Sequence, residues 1–364
     1  MNSRERVFRA LELEESDVIP LNECFSSTEA ALVFFGEKYF KADFLDQLIF
    51  QARILGSDVI TIPALGFPGG PGVVFESLLY EGKDHIIATS PFGTLLYWRK
   101  KPYFSKVLYG PVSYPEDLNN LRKPEVDSLI PRVKNLARMV QRAQRLGYFV
   151  MVEIKGPMES PWMYLRNGGL PTFLRDIVSN STFASKLIKA AFEFILEITE
   201  LIIDIAKPDA IWMTDDLGDN KGPFMNPRIY RTLINPWHKE ITKRVHGKGC
   251  KLCLHSHGNI NLILKDIVNS GFDSIDPLDE ADGMDLAAVK DQYGDKICLM
   301  GGITKNIGFM EDEDIQKHVI EAARMGGFTG YIMMSAGGIP AEMSLGKLNC
   351  YLEAVDKARS RKTT

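Results

Sequence analysis

The chain has 364 residues, of which 45% are hydrophobic, and a formal net charge of −4 at pH 7. This length and apolar content suffice for a large buried core, in one large domain or two smaller ones. The small net charge gives no reason to expect nucleic acid or an anionic membrane as a partner, and no apolar run reaches the roughly 18 residues that a membrane span needs.

The N-terminal stretch MNSRERVFRALELEESD predicts a charged amphipathic helix and lacks the apolar core of a signal peptide. The five cysteines are odd in number and scattered along the chain (Cys24, Cys250, Cys253, Cys298 and Cys350). That usage is typical of a reduced, cytoplasmic protein, so we expect a cytoplasmic location.

Eight short apolar segments alternate with helical ones. The predicted strands cover residues 18–23, 58–63, 149–154, 210–214, 251–255, 273–277, 296–301 and 330–335. The predicted helices after the N-terminal one cover 41–55, 131–146, 184–206, 227–246, 260–269, 286–293, 313–325 and 345–359. The strands are apolar throughout, as in a parallel sheet covered on both faces. The count and the alternation favour an α/β fold of the (β/α)8 TIM-barrel type over an open doubly wound sheet.

Residues 66–114 break this alternation. They are rich in glycine, proline and aromatic residues and contain hairpin-like pieces. We interpret them as a lobe inserted after the second strand of a single domain that covers residues 1–364. The glycine-rich loops that bind nucleotides are missing, because neither G-x-G-x-x-G after the first strand nor G-x-x-x-x-G-K-[ST] occurs.

Active sites of TIM barrels lie at the carboxyl ends of the strands, so polar residues assigned to those ends are the informative ones. The candidates are Glu23, Asp58, Glu153, Asp215, Asp216, His255, His257 and Asp276. Any single carboxylate among them could be a helix cap or a structural hydrogen-bond acceptor. Six strands, however, end in an acidic or imidazole side chain at the same rim of the barrel, and this clustering favours a functional site over separate structural roles.

The segment CKLCLHSHGN predicts a strand that ends in two imidazoles and a glycine. Residues two apart on a strand point the same way, so His255 and His257 should project together and could share one metal ion. Catalytic zinc usually has three protein ligands and an open position, which makes this pair an incomplete site. The alternative is one buried, hydrogen-bonded histidine and one exposed histidine.

Several motifs resemble the uroporphyrinogen decarboxylase superfamily, and more closely its corrinoid-dependent methyltransferase branch. They are SRERVFRALELEESDVIP, GSDVITIPALG, KGP, TDDLGDNKGPFMNPRIYRTLINPWHKEI, LHSHGNINLILKDIVNSGFDSIDPLDEADGMD and GYIMMSAGGIP. The resemblance runs nearly end to end and implies a TIM barrel. It places Asp58 where the decarboxylases have a catalytic aspartate. The arginine-rich segment that grips porphyrinogen carboxylates is missing, because residues 22–27 read NECFSS.

The methyltransferase branch typically has H-x-C-G at strand five and a further cysteine at strand eight, which together bind zinc. His255 matches the histidine, whereas His257 and Gly337 stand in place of the two cysteines. With cysteine absent, a carboxylate must complete a zinc site, and our order of preference is Asp216, Glu153 and Glu23. Imidazole and carboxylate ligands leave zinc more Lewis-acidic than thiolates do, which favours an oxygen substrate.

The resemblance therefore implies a zinc-dependent methyltransferase of the O-demethylase type. It would move a methyl group from a small methoxylated, aryl ether substrate to a corrinoid carried by a partner protein. We expect Asp58 and Asp215 to be catalytic, and Glu23, Met300 and Met334 to contact substrate. Met213 and the lobe aromatics Phe67, Phe75, Tyr80, Phe92, Tyr97 and Trp98 are candidates for the wall of a dry pocket, but for most of these apolar residues we prefer the alternative of ordinary core packing.

Two alternatives stay open at this stage. One is a metal-free decarboxylase or lyase that uses Asp58 and Asp216 as acid and base. The other is a non-catalytic member of the superfamily that holds a corrinoid or a tetrapyrrole. No nucleic acid or membrane partner is expected, and whether the chain forms a homodimer also stays open.

Overall fold

The computed structural model describes residues 1–26, 28–36, 42–64, 77–99 and 104–360. In chain order the strands are β1 (Val59–Pro63), β2 (Ser77–Glu81), β3 (His85–Thr89), β4 (Leu95–Arg99), β5 (Phe104–Tyr109), β6 (Phe149–Lys155), β7 (Ala210–Thr214), β8 (Gly218–Asp219), β9 (Gly222–Pro223), β10 (Lys251–His255), β11 (Ser274–Leu278), β12 (Cys298–Ile303) and β13 (Tyr331–Ser335). The helices are α1 (Ser3–Leu11), α2 (Thr28–Phe35), α3 (Phe44–Leu55), α4 (Ile130–Arg145), α5 (Glu159–Tyr164), α6 (Gly169–Ser179), α7 (Ser181–Ala206), α8 (Pro227–Leu233), α9 (Asn235–Gly247), α10 (Asn261–Val268), α11 (Leu286–Tyr293), α12 (Asp312–Gly326) and α13 (Leu345–Ala358).

Seven parallel strands form the main sheet in the order β1-β6-β7-β10-β11-β12-β13. The eighth position is filled by the extended segment around Leu21, which bridges Met333 of β13 in parallel. On its other side, the Asp58 N–H before β1 donates to the Leu21 carbonyl at 2.7 Å. The predicted first strand is thus present as a short irregular segment that closes the curled sheet, and the predicted TIM-barrel fold is confirmed.

Successive residues of each strand face alternately into and out of the barrel, and this divides the core in two. Inward residues form one apolar cluster that includes Phe149, Ala210, Cys253 and Ile332. Outward residues belong to a much larger cluster that packs the barrel against its helices. Helix α1 adds three apolar side chains to the inner cluster (Val7, Ala10 and Leu11). The amino-terminal end of the barrel is therefore a packed floor, and the carboxyl ends form its mouth.

Within residues 66–114, strands β2 to β5 form an antiparallel sheet in sequence order. One face of it buries Ala88, Leu96 and Trp98 next to Met163 of α5. Residues 65–76 and 100–103 of the predicted lobe lie outside the described residues. The extent of the lobe and the single-domain assignment stay predictions.

Three helices, α2, α5 and α6, were not predicted from the sequence, and the predicted helices differ from the structure mainly at their ends and breaks. The helix predicted over 227–246 is two helices, because Pro236, the second residue of α9, cannot donate a backbone hydrogen bond into α8. Helix α7 starts three residues earlier than predicted, where the Asn180 side chain accepts from the Phe183 N–H at 3.2 Å. None of the helices in the described ranges has both the length and the apolarity that crossing a membrane requires.

Asp58 lies at the floor of the barrel, since it directly precedes β1. Its carboxylate accepts from Arg6 Nη1 at 2.7 Å, from the Leu21 N–H at 2.9 Å and from Arg359 Nη2. These bonds tie together α1, the closing segment and the residue that follows α13. The sequence prediction that Asp58 is a catalytic residue at the mouth is wrong about its position, because a residue that starts a strand lies at the opposite end.

We predict that Asp58→Asn lowers the free energy of unfolding by about 3 to 5 kcal/mol, because the mostly buried Arg359 would lose its counter-charge and Arg6 would keep only Asp17. Urea unfolding followed by circular dichroism measures the loss. Asp17→Asn is the control: Asp17 also pairs with Arg6 but its side chain is 38% exposed, so the loss should stay below about 1 kcal/mol. Equal stability of Asp58→Asn and the wild type would contradict this assignment.

Candidate active site at the barrel mouth

Four side chains form a level row at the mouth of the barrel. Strand register pairs Lys155 with Thr214, Thr214 with His255, and His255 with Asp276. All four belong to the inward-facing set, because Met151, Ala210 and Cys253 of the same parity lie in the inner apolar cluster. Neighbouring strands lie about 4.8 Å apart, so the row spans one side of the mouth.

His255 is held by a buried carboxylate. Its Nδ1 lies 2.6 Å from Asp276 Oδ1, and the other Asp276 oxygen accepts from Trp212 Nε1 at 2.9 Å. Burial lowers the pKa of His255, but the Asp276 carboxylate outweighs it, so the pKa lies above its ordinary value. Asp276 therefore fixes the ring and leaves Nε2 as the nitrogen that can meet a ligand.

His257 sits beside His255, with ring centroids 4.8 Å apart and planes at 88°. Its Nδ1 lies 3.6 Å from Asp282 Oδ2, and Asp282 is itself bound by Lys305 Nζ at 2.5 Å. Burial and the neighbouring His255 lower the pKa of His257, which favours the neutral imidazole that binds metals. The His257 N–H donates to Asp216 Oδ1 at 2.8 Å, which brings this carboxylate to the pair.

A second group of charges lies beside this pair. Lys155 Nζ is 2.8 Å from Glu153 Oε1 and 3.6 Å from Glu159 Oε2, and the Thr214 hydroxyl donates to Glu159 Oε2 at 2.9 Å. Burial would lower the pKa of Lys155, but the two carboxylates raise it above its ordinary value. Burial raises the pKa of Glu159 to about 7, although Lys155 opposes this shift. The nearby carboxylates Asp216 and Asp215 act in the same direction as burial. Lys155 is thus a fixed cation beside a carboxyl group that titrates near neutrality.

The pair of imidazoles fits a divalent transition metal in one respect. Metal-binding histidines usually donate their second ring N–H to a carboxylate, and here each Nδ1 faces one while neither Nε2 has a hydrogen bond among the described residues. In those residues, however, no three His, Cys, Asp or Glu side chains are close enough to hold an ion as they stand. The two nitrogens are in place, and a third ligand would have to turn toward them.

Two further predicted site residues face outward. Asp215 is fully buried: its Oδ1 accepts from the N–H groups of Met158 and Glu159 at 2.7 and 3.0 Å, and its Oδ2 lies 2.8 Å from His238 Nε2. Glu23 is also buried, where Ser335 Oγ and Tyr351 of α13 donate to its two oxygens. Neither carboxylate reaches the mouth. Asp215 instead fixes the turn that carries Glu159.

The predicted walls are only partly at the mouth. Met300 joins the inner apolar cluster, and Met334 Sδ lies 3.3 Å from Asn22 Nδ2, so both face the barrel interior. Met213 faces the surrounding helices. Of the lobe aromatics, Trp98 packs inside the lobe and Phe92 against Phe194 of α7, whereas Tyr80 is 48% exposed. Tyr97 stacks on His85 on the lobe sheet, and Phe67 and Phe75 lie outside the described residues.

Sequence reasoning missed Lys155, Glu159 and Trp212 and left out the role of Asp276. A signal existed for the first of these, because Lys155 lies two residues after Glu153 on the same strand and so faces the same way, just as His257 does relative to His255. Glu159 lies on the turn after β6 and carries no periodic signal. The bond between Trp212 and Asp276 joins two strands that are not neighbours in the sheet, so only the folded barrel reveals it.

Comparisons with known proteins give one family and several solved structures to which the chain is similar. A family model described as uroporphyrinogen decarboxylase (URO-D) matches residues 93–358. A methyltransferase from Methanosarcina mazei is similar in structure, with a TM-score of 0.72 and 16% identity over 98% of each chain. A D-psicose 3-epimerase from Clostridium cellulolyticum has a TM-score of 0.45 and 12% identity over 87% of this chain and 93% of its own. No curated protein sequence matches the chain.

We predict that Asp215→Ala lowers the free energy of unfolding by about 3 to 5 kcal/mol, because it leaves His238 and two backbone N–H groups buried without their acceptor. Hydrogen exchange should show lost protection at the Met158 and Glu159 amides. Asp216→Ala is the neighbouring control, since Asp216 is only partly buried and accepts one backbone bond. Unchanged exchange at both amides in Asp215→Ala would refute the anchoring role.

Proposed function

The chain belongs to the uroporphyrinogen decarboxylase family, and we propose that within it the protein is a methyltransferase. It would move a methyl group from a small methoxylated aromatic compound to a corrinoid held by a separate protein. The observation that carries the proposal is the pair His255 and His257 at the mouth, each with Nδ1 facing a carboxylate and with Nε2 free of hydrogen bonds among the described residues. The likeness to the Methanosarcina mazei methyltransferase supports it at the level of the fold.

The charges at the mouth argue against tetrapyrrole decarboxylation. A polycarboxylate substrate needs unpaired cations, but Lys155 and Lys305 both lie in ion pairs with carboxylates. The metal-free alternative is also weakened. Asp58 and Asp216 cannot act on one substrate as acid and base, because Asp58 precedes β1 at the floor whereas Asp216 follows β7 at the mouth.

His255 and His257 would hold a zinc ion through their Nε2 atoms, and Asp216 is the carboxylate best placed to turn toward them. Nitrogen and oxygen ligands would give that ion Lewis acidity toward an ether oxygen, whose departure as phenoxide is otherwise slow. Asp276 and Asp282 would hold the two rings in orientation, as carboxylates behind metal-binding histidines do.

The chain's own apolar side chains would exclude water from the reacting methyl group. Trp212 packs on His255 with ring centroids 4.8 Å apart, and Met300 and Met334 face the same interior. Below them the inner apolar cluster and helix α1 pack the floor, so the substrate would enter and leave at the mouth. A low-polarity wall of this kind also strengthens the electrostatic interactions of the charges at its edge.

We predict about one zinc per chain by elemental analysis of protein produced with ample metal, and its loss in the double variant His255→Ala, His257→Ala. Asp216→Ala should weaken zinc binding by about 10-fold or more, which is on the order of 1.4 kcal/mol. His246→Ala is the matched control, because His246 lies on α9 and pairs with Asp273 away from the mouth. Full zinc content in the double variant would remove this assignment.

We predict that the protein methylates a cobalt(I) corrinoid from methoxyarenes, which absorption spectroscopy of the corrinoid detects. His257→Cys should keep zinc but lose most of this activity, because thiolate donation lowers the Lewis acidity that a phenoxide leaving group requires. Restoring the cysteine of strand eight as well is unsuitable, since Gly337 has a φ of +93° that side chains rarely adopt. Turnover of methylated thiols or methylamines but of no methoxyarene would contradict the oxygen substrate.

A further inference from the structure

We propose that Glu159 is the proton donor to the departing oxygen, held in place by Thr214 and Lys155. The inference rests on the proposed function and adds to it a residue that the sequence motifs did not suggest. Glu159 lies at the start of α5, directly after the turn that leaves β6 at the mouth. Its carboxyl group is bound to the middle of the row that ends at His255 and Asp276.

Three contacts fix the carboxyl group. Thr214, whose register neighbours are Lys155 and His255, donates its hydroxyl to Glu159 Oε2 at 2.9 Å. Lys155 Nζ lies 3.6 Å from the same oxygen. From the opposite side, Asp215 accepts from the Glu159 N–H at 3.0 Å and so holds the backbone. Both polar partners of the side chain engage Oε2, so the proton would sit on Oε1.

The surroundings suit a group that gives up a proton and takes it back. The Glu159 side chain is 11% exposed, which disfavours the carboxylate, whereas Lys155 stabilises the carboxylate once it forms. Burial thus disfavours loss of the proton while Lys155 favours it, and this balance lets the carboxyl group act as a proton donor that is later recharged.

The other carboxyl groups at the mouth are committed elsewhere. Asp276 is bound by His255 and Trp212, and Asp282 is bound by Lys305. Glu153 lies one inward position deeper on β6 than Lys155, and its side chain is 3% exposed. Asp216 accepts from the His257 backbone and is the proposed metal ligand. Glu159 is bound by Thr214 and Lys155 through Oε2 alone, so its Oε1 is the oxygen that remains for the substrate.

In the proposed step, the methyl group passes from the ether oxygen to the cobalt of the corrinoid. The electron pair of the reduced corrinoid's cobalt(I) forms the new bond to the methyl carbon, and the methyl–oxygen bond of the ether breaks with its pair left on oxygen. That oxygen, whose developing negative charge the zinc ion would stabilise, takes the proton of Glu159 and leaves as a phenol. Glu159 becomes a carboxylate beside Lys155, and it regains a proton from water after the phenol departs.

The test is Glu159→Gln, assayed with methoxyarenes whose phenols differ in acidity. General acid catalysis is worth about 10²- to 10⁴-fold. We therefore expect at least about 100-fold slower methyl transfer from ethers of weakly acidic phenols, and less than about 10-fold slowing from nitro-substituted ethers, whose phenoxides leave unaided. A uniform loss for all ethers would overturn the proposal, because a merely structural defect does not depend on the leaving group.

Glu23→Gln is the matched control, since it removes a buried carboxylate that faces α13 instead of the mouth. Its rates should show the wild-type dependence on phenol acidity. If Glu159→Gln does not fold, Thr214→Val removes the hydroxyl that orients the carboxyl group and should give the same selective loss to a smaller extent. If the Glu159→Gln and Thr214→Val variants keep the activity and the leaving-group dependence of the wild type, the role of Glu159 is refuted and the proposed function is not. If the wild-type protein demethylates no methoxyarene, the proposed function and the role of Glu159 are both refuted.

Discussion

The two-residue period of strands in a closed barrel is the constraint on which this structure depends. On every strand, one set of side chains packs against helices and the other faces the enclosed interior. The same parity that puts Met151 and Cys253 into the apolar interior carries Glu153, Lys155 and His255 to the mouth. One residue of shift would send the polar groups into the helix layer and expose apolar ones to the site.

Buried charge serves two different purposes in this molecule. At the floor and in the helix layer, Asp58 and Asp215 bind donors from several elements and fix how these elements meet. At the mouth, Lys155 forms ion pairs with the two carboxylates of Glu153 and Glu159, whereas His255 contacts a carboxylate through only one of its two ring nitrogens. The groups of the first kind stabilise the fold, whereas at the mouth the Nε2 of His255, which has no hydrogen bond among the described residues, can meet an ion.

Much of the architecture could be predicted from the sequence, because apolar strands that alternate with helices have few other solutions. The common facing of His255 and His257 followed from their spacing. Glu23, Asp58 and Asp215 were misassigned because only their nearness to a strand was considered: all three share the outward parity of Leu21, Ile60 and Met213. The contacts of Glu159 could not be predicted, since they depend on how the turn after β6 folds back onto Thr214. The link between Trp212 and Asp276 likewise depends on the curvature of the sheet.

A crystal structure of the chain grown with zinc and a demethylated phenol, with anomalous scattering recorded at the zinc edge, tests the central claim most directly. The account predicts one zinc peak about 2.0 to 2.1 Å from the Nε2 atoms of His255 and His257. It also predicts the phenol ring inside the mouth, with its oxygen toward Glu159. A zinc peak away from both imidazoles, or a phenol bound outside the barrel mouth, would contradict the account.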